Sequence, residues 1–452
     1  MQLGQKNTEN KIVERRHLAS AQIIILGFLM MILAGTLLLM LPVSSKGQES
    51  AGFFDSLFTA VSATCVTGLV VQDTATYWSG FGQAVILILI QIGGMGVVTV
   101  SFAISLFSGK KIGLMQRSVM QDSVSAHQVG GIARLTKFIV ITSLCIEAIG
   151  ALLLMPTMIG EFGLGRGIWY SFFHSISAFC NAGFDLFGVK EHFSSLTSLY
   201  NRPFFNIVIM LLITVGGLGF LTWEDIKSHK LNFKKYAMQS KVILSTSAVL
   251  VAVPAVCFFI FEYAYLPLGE RLLASLFQSV TTRTAGFNTM DLNALSESGK
   301  FLFIMLMLIG GSPGSTAGGM KTTTIAVLFS LALSVFMKKN QAQFFGRRVP
   351  DEAVKAAATI LLLYVFLASS SAMVIALIEG IPILTALFET ASAIGTVGLT
   401  LGITPSLGIA SRIIIMILMY LGRVGSLTLI FATLNTMAPN VSNFPQEKIT
   451  VG

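Results

Sequence analysis

A chain of 452 residues with 54% hydrophobic and 11% charged residues and a mean hydropathy of +0.79 cannot be a soluble globular domain and reads as an all-α integral membrane protein. Its net charge of +9 does not point to nucleic acid, because the positive residues sit in short loops beside apolar segments, where insertion bias and anionic lipid account for them. The four cysteines, Cys65, Cys145, Cys180 and Cys257, form no C-x-x-C pair, so neither a zinc site nor a disulfide framework is indicated.

The first residues are polar and basic (Lys6, Lys11, Arg15, Arg16) and carry no cleavable signal pattern, which predicts a cytoplasmic tail over 1–19. Residues 23–41 form an apolar run long enough to span, ended by Pro42. Next comes a shorter apolar stretch, 53–62, whose length of about ten residues crosses only half of a bilayer core. Such a re-entrant helix leaves its last carbonyls, and the negative end of its dipole, pointing toward the membrane interior, where a cation can be held. The chain then climbs out through Thr64-Cys65-Val66-Thr67-Gly68-Leu69. A second span is predicted over 84–107, stopped by Lys110 and Lys111.

This unit recurs. Aligned on the glycine, the first loop is matched by Phe179-Cys180-Asn181-Ala182-Gly183-Phe184, by Thr282-Arg283-Thr284-Ala285-Gly286-Phe287 and by Ile394-Gly395-Thr396-Val397-Gly398-Leu399. Each follows a short helix with a phenylalanine at a similar offset, Phe58, Phe173, Phe277 and Phe388, the third one residue closer to its glycine. The glycines recur after 115, 103 and 112 residues, a repeat of about 110. Further spans are predicted over 132–155 and 204–223, 242–263 and 301–337, 356–378 and 413–434, eight in all. The resulting division is repeat 1 at 20–111, repeat 2 at 112–235, repeat 3 at 236–348 and repeat 4 at 349–438, with a cytoplasmic C-terminal tail at 439–452.

Lysine and arginine cluster after every second span, at Lys110, Lys227, Lys234, Lys235, Lys338, Lys339, Arg347 and Arg348, whereas the stretches near the loops carry Asp73, Glu161, Asp185, Glu270 and Asp291. The positive-inside rule then places both termini in the cytoplasm and all four loops outside, which argues against an inverted-repeat transporter.

Four backbone loops around one axis can replace the hydration shell of a cation with carbonyl oxygens. On these four loops the chain resembles the membrane subunit of the Trk/Ktr/HKT superfamily of potassium transporters, most closely the KtrB-type subunits, over nearly its whole length. The resemblance implies a potassium uptake protein of the cell membrane, with four pseudo-symmetric units around a central pore and the four loops as its selectivity filter. It further implies K+ in that filter with Na+ as a second candidate, no covalent cofactor, a homodimer, and a cytosolic ring of nucleotide-binding regulatory subunits. Members of the superfamily that prefer sodium form the alternative; their plant representatives carry serine in place of the first filter glycine, where this chain has Gly68. A membrane enzyme is disfavoured, since there is no H-E-x-x-H, no intramembrane aspartate pair, and Glu147 stands alone in its span. His174, in a pore helix, reads as structural, and Cys65 and Cys180 as small, weakly polar groups behind the filter.

Each second span also carries a glycine pair at a near-constant distance from the loop, Gly93-Gly94, Gly216-Gly217 and Gly310-Gly311, with Gly422-Arg423 in the fourth. Close packing explains the first two. In the third, Gly310-Gly311-Ser312-Pro313-Gly314-Ser315-Thr316-Ala317-Gly318-Gly319 is too rich in glycine and proline to remain helical and predicts two helices joined by an intramembrane loop. By the resemblance this loop obstructs the pore beneath the filter. Its end, followed by Met320-Lys321-Thr322, misses a phosphate-cradling motif by one residue and has no strand before it. Arg423 lies too deep to snorkel easily, so it requires a cavity or a partner. Two roles are open to it: an electrostatic barrier in the path, or an anchor for the loop's carbonyls.

Overall fold

The computed structural model describes residues 20–108, 113–124, 131–230, 232–339 and 341–425; both terminal tails, Lys110 and Lys111, and the second half of the 413–434 span lie outside them. The first unit contains α1 (Ser20–Leu39), α2 (Phe53–Thr64), α3 (Gly80–Met95) and α4 (Val97–Phe107). A connecting helix, α5 (Leu114–Ser123), leads to α6 (Ile132–Phe162), α7 (Leu164–Phe179), α8 (Pro203–Gly217) and α9 (Phe220–His229). The third unit has α10 (Met238–Cys257), α11 (Leu268–Thr281), α12 (Glu297–Met307) and α13 (Thr322–Phe336), and ends in the two-residue antiparallel strands β1 (Gln343–Phe344) and β2 (Arg347–Arg348). The last has α14 (Asp351–Glu379), α15 (Ile383–Ile394) and α16 (Ile409–Val424).

Of the eight spans expected, the described residues show four as continuous helices and two as bent helix pairs. Among the described residues four helices are long and apolar enough to cross a membrane: α1, α6, α14, and α10 continued to Glu262. The second spans do not run straight. Between α3 and α4 the chain turns by 91°, and between α8 and α9 by 97°. The cause is a glycine three residues after the first of each pair: Gly96 and Gly219 have φ of +87° and +91°, outside the helical range and costly for any side chain. Gly425 repeats this at the end of α16, with φ +91°. In the third unit the break widens to the segment between Met307 and Thr322, as the glycine-rich run predicted.

The short helices α2, α7, α11 and α15 hold the centre. Their phenylalanines, Phe58, Phe173, Phe277 and Phe388, are at most 1% exposed, and burying rings of this size is the main apolar contribution to fixing each helix. α3 packs on α7, α8 on α11, α12 on α15, and α16 returns to α2, so each second helix leans on the next short helix and the last closes on the first.

Candidate functional site

The four glycine loops meet. A Cβ on Gly68 would lie 2.4 Å from the Ala182 carbonyl oxygen, one on Gly183 2.8 Å from that of Ala285, one on Gly286 2.5 Å from that of Val397, and one on Gly398 2.1 Å from that of Thr67. Every residue in this ring is backbone against backbone, so no flexible side chain can yield to an added methyl. All four glycines have positive φ, from +68° to +93°. Two residues earlier, Val66, Asn181, Thr284 and Thr396 also have φ between +51° and +62°. For the β-branched Val66, Thr284 and Thr396 this is a strained conformation, of order 1–3 kcal/mol each, and strain repeated at one position of three loops, with the tolerant Asn181 in the other, points to function. The residues between, Thr67, Ala182, Ala285 and Val397, are not left-handed; alternating handedness turns successive peptide units over and lets their carbonyls face one side.

The short helices clamp this conformation. Ser62 Oγ accepts from Gly68 N and Ser392 Oγ from Gly398 N, each at 3.1 Å. Ser177 Oγ donates to the Phe184 carbonyl at 2.7 Å, and Thr281 Oγ1 donates to that of Phe287. These hydroxyls stand six residues before their glycines, or five in the third copy, and a fixed-offset Ser/Thr is a sequence feature that the loop alignment passed over. The hydroxyls of Thr64, Thr67, Thr284 and Thr396 are buried without a partner among the described residues, an arrangement that suits a desolvated cation.

One face of the ring opens on a cavity of about 190 Å³ lined by all four glycines and by Asp73, Asp185 and Asp291. Burial pushes the Asp185 carboxyl from its ordinary 3.8 up to about 7; the Phe187 N–H opposes this and the Asp73 charge adds to it. On the side of residues 310–319 lies a second cavity of about 240 Å³, lined by Gly94, Gly314, Gly319, Lys321, Arg423 and Gly425 among others.

Residues 310–319 stand between the ring and this second cavity. Gly310 N donates to the Met320 carbonyl (2.7 Å) and Thr322 N to that of Gly311 (3.0 Å), closing the loop at its neck. The loop is tied to unit 2 by Ser312 N to the Gly217 carbonyl (3.0 Å), Thr316 N to that of Gly216 (3.2 Å), and Phe220 N to that of Gly314 (2.7 Å). Thr316 Oγ1 donates to the Phe179 carbonyl at 3.0 Å, at the base of the second loop. A Cβ on Gly318 would collide with Thr396 Oγ1, and one on Gly319 with the Gly395 carbonyl. Pro313, Ser315 and Ala317 complete the loop, and the Ala317 carbonyl accepts from Lys321 Nζ at 2.9 Å. Arg423 reaches it from α16: Nη1 donates to the Thr316 carbonyl, and Nη2 to those of Gly93 (2.5 Å) and Gly94 (3.0 Å).

Among the remaining loop residues, Cys65 and Cys180 are buried free thiols, and Cys180 Sγ lies 3.8 Å from Gln91 Oε1. Thr282 Oγ1 turns back to the Ser279 carbonyl, while Arg283 reaches the Gly310 carbonyl at 3.5 Å. Ile394 and Gly395 are packed by α16 and α12: a Cβ on Gly422 would strike the Ile394 carbonyl, and one on Gly395 that of Met307. The glycine pairs are therefore close-approach positions in the first and second units too, where Gly93 and Gly216 face the carbonyls of Thr64 and Phe179.

Sequence reasoning missed three polar supports, two of which join distant segments while the third links a short helix to the loop that follows it. Gln91 Nε2 donates to both carboxylate oxygens of Glu147, at 2.9 and 3.1 Å. Glu389 accepts from Leu401 N, Thr400 Oγ1 and Thr404 Oγ1. Asp55 pairs with Arg412 at 2.9 Å, joining the first unit to the last. His174 is structural as expected: Nδ1 donates to the Tyr170 carbonyl (2.7 Å), so Nε2 accepts from Leu186 N (3.2 Å).

Membrane-crossing apolar helices around two stacked cavities make this an integral membrane protein. The chain matches the family model for TrkH, cation transport protein, over residues 2–443, and belongs to that family of cation transporters rather than to any class of enzyme. It is 40% identical to the potassium/sodium uptake protein NtpJ of Enterococcus hirae over 97% of its length and 98% of the relative's. It is 36% identical to the Ktr system potassium uptake protein B of Bacillus subtilis over 98% of its length and 99% of the relative's. The crystal structure of the potassium transporter TrkH from Vibrio parahaemolyticus shares the fold, with a TM-score of 0.73 at 18% identity, covering 94% of this chain and 86% of that one.

Proposed function

We propose that the chain carries potassium into the cell through one central path formed by four pseudo-symmetric units, with the loops ending at Gly68, Gly183, Gly286 and Gly398 as its filter. The reading rests on the ring of four left-handed glycines in backbone contact; it is supported by the unpaired threonine hydroxyls beside them and by the potassium uptake named for the relatives. K+ is then the substrate, and Na+ the second ion to test, as the name of the Enterococcus hirae relative suggests. Residues 310–319 act as the gate, anchored by Arg423, whose charge also stands against cations leaving the filter. The repeats divide as 20–111, 112–235, 236–348 and 349–438; both termini face the cytoplasm of the cell membrane. The working unit is a homodimer with a ring of nucleotide-binding cytosolic subunits.

The test is initial-rate uptake of 86Rb+, K+ and 22Na+ by the purified chain in liposomes. Rubidium flux comparable to potassium, with little sodium, is expected. Sodium flux equal to potassium would replace this reading with that of a sodium-permeable member of the family.

A further inference from the structure

Away from the ion path, α8, α10 and α11 enclose a cavity of about 400 Å³, within the range of about 300–1,000 Å³ typical of small-ligand sites. Its walls are mainly apolar, including Ile213, Leu244, Val251, Ala252 and Leu276. Two polar atoms on lining residues break that pattern. Arg283 Nη1 and Ser247 Oγ are both buried and have no hydrogen-bond partner among the described residues. The guanidinium's one bond, from Nη2 to the Gly310 carbonyl, is long at 3.5 Å, and no carboxylate of the described residues acts on it. A buried cation with a free donor, on a residue that lines the same cavity as a second free hydroxyl, calls for an acceptor that carries negative charge.

We infer that this cavity binds a long-chain fatty acid, with the carboxylate on Arg283 and Ser247 and the alkyl chain along α8 and α10. Two oxygens in one plane match a guanidinium edge. A carboxylic acid can enter hydrocarbon as the neutral acid and ionise beside the arginine, whereas a phosphodiester headgroup stays charged and is held at the membrane surface. The approach is from lipid: Leu211 on α8 and Val249 and Val253 on α10, near the lining residues in sequence, are 57–58% exposed. Gly217 and Gly311 also line the cavity, and the Gly217 carbonyl holds Ser312 N, so an occupant sits against the root of the 310–319 loop. Its influence on flux rests on the proposed role of that loop; its binding does not.

Equilibrium binding of radiolabelled oleate to the full-length protein in nanodiscs tests this without any ion flux. Saturable binding of about one oleate per chain is expected, with no competition from methyl oleate. Arg283→Gln should weaken it by about tenfold or more, and Ala252→Trp, which fills the cavity and leaves the filter alone, should abolish it. If Arg283→Gln does not fold, Ala252→Trp decides. Absence of saturable binding, binding unchanged in Ala252→Trp, or a co-purified phospholipid that oleate cannot displace would each overturn the assignment. Oleate should also change rubidium uptake by the parent and not by Ala252→Trp; failure of that arm alone would count against the gate, not the site.

Discussion

Gly93 faces the Thr64 carbonyl so closely that a Cβ would lie 2.1 Å from its oxygen, whereas Gly80, at the start of the same helix, has nothing within 4 Å. Alanine at both sites gains helix propensity, about 1 kcal/mol, so the pair separates propensity from fit. Gly93→Ala should lower stability by about 1–3 kcal/mol through overpacking and loosen potassium selection, because the displaced carbonyl belongs to one of the four loops proposed as the filter. Gly80→Ala should be neutral or stabilising. Thermal unfolding of both proteins by tryptophan fluorescence checks the first statement and competitive sodium uptake the second. Gly68→Ser meets a harder limit, the Ala182 carbonyl at 2.4 Å, and should allow sodium to compete with rubidium where the parent excludes it. Asp185 adds a pH dependence. Its pKa is raised to about 7, so the carboxyl is neutral below that pH and charged above it. Its contribution to folding is most favourable while protonated and is lost as pH rises through 7. Uptake has the opposite sign: the charged form attracts cations to the cavity that Asp185 lines, so rubidium uptake below saturation should rise between about pH 6 and 8. Asp185→Asn should flatten that rise, and an unchanged profile would remove Asp185 from the entry path.

The helices show what the chain declares locally and what it hides. The re-entrant helices, the loop residues and the interruption at 310–319 were legible because each depends on short-range features: run length, aligned glycines, and a density of glycine and proline that no helix tolerates. The right-angle bends after Met95 and Gly217 were not, since 84–107 and 204–223 are uniformly apolar and hydropathy measures length, not direction. The decisive residues, Gly96 and Gly219, stand outside the pairs that drew attention. Long-range supports such as Gln91 to Glu147 leave no local pattern at all. The loop at 310–319 has few side chains of its own to hold it. Its contacts are backbone hydrogen bonds to unit 2, the Thr316 hydroxyl, and the side chains of Arg423, Lys321 and Arg283 on its carbonyls, and a segment held by so few groups opens at low cost. Deleting 312–316 should raise basal rubidium uptake and leave the preference for potassium intact. Arg423→Ala should move uptake the same way by less, since the bonds to Gly216 and Gly217 remain. Deletion protein that dimerises yet conducts no faster than the parent would place the barrier elsewhere.

Across the molecule, the basic segments gather on one side of the helix ends. Lys234, Lys235, Arg347 and Arg348 are exposed, and the Phe233 and Phe345 rings meet edge to face at 6.1 Å, which brings the link between units 2 and 3 beside the β1–β2 hairpin. Lys241 stands over the same Phe345 ring at 5.9 Å. A surface with this charge, on a chain that devotes its described residues to helices and short connections, suits an acidic face of the proposed cytosolic ring. Long-range attraction between such faces is screened over about 8 Å at physiological salt, so the association should weaken as salt rises. Reversing three charges, Lys234→Glu, Lys235→Glu and Arg347→Glu, should reduce capture of the regulatory subunit by about tenfold or more at physiological salt and by less at high salt. The proposed filter and gate loop lie far from these residues in sequence and share no hydrogen bond or ion pair with them among the described residues, so the variant alone in liposomes should take up rubidium at the parent's rate. Stimulation of that rate by added regulatory subunit should fall in proportion to the lost binding. Full capture and full stimulation of the charge-reversed protein would show that the ring docks on another face, and that this basic surface serves only to orient the chain in the membrane.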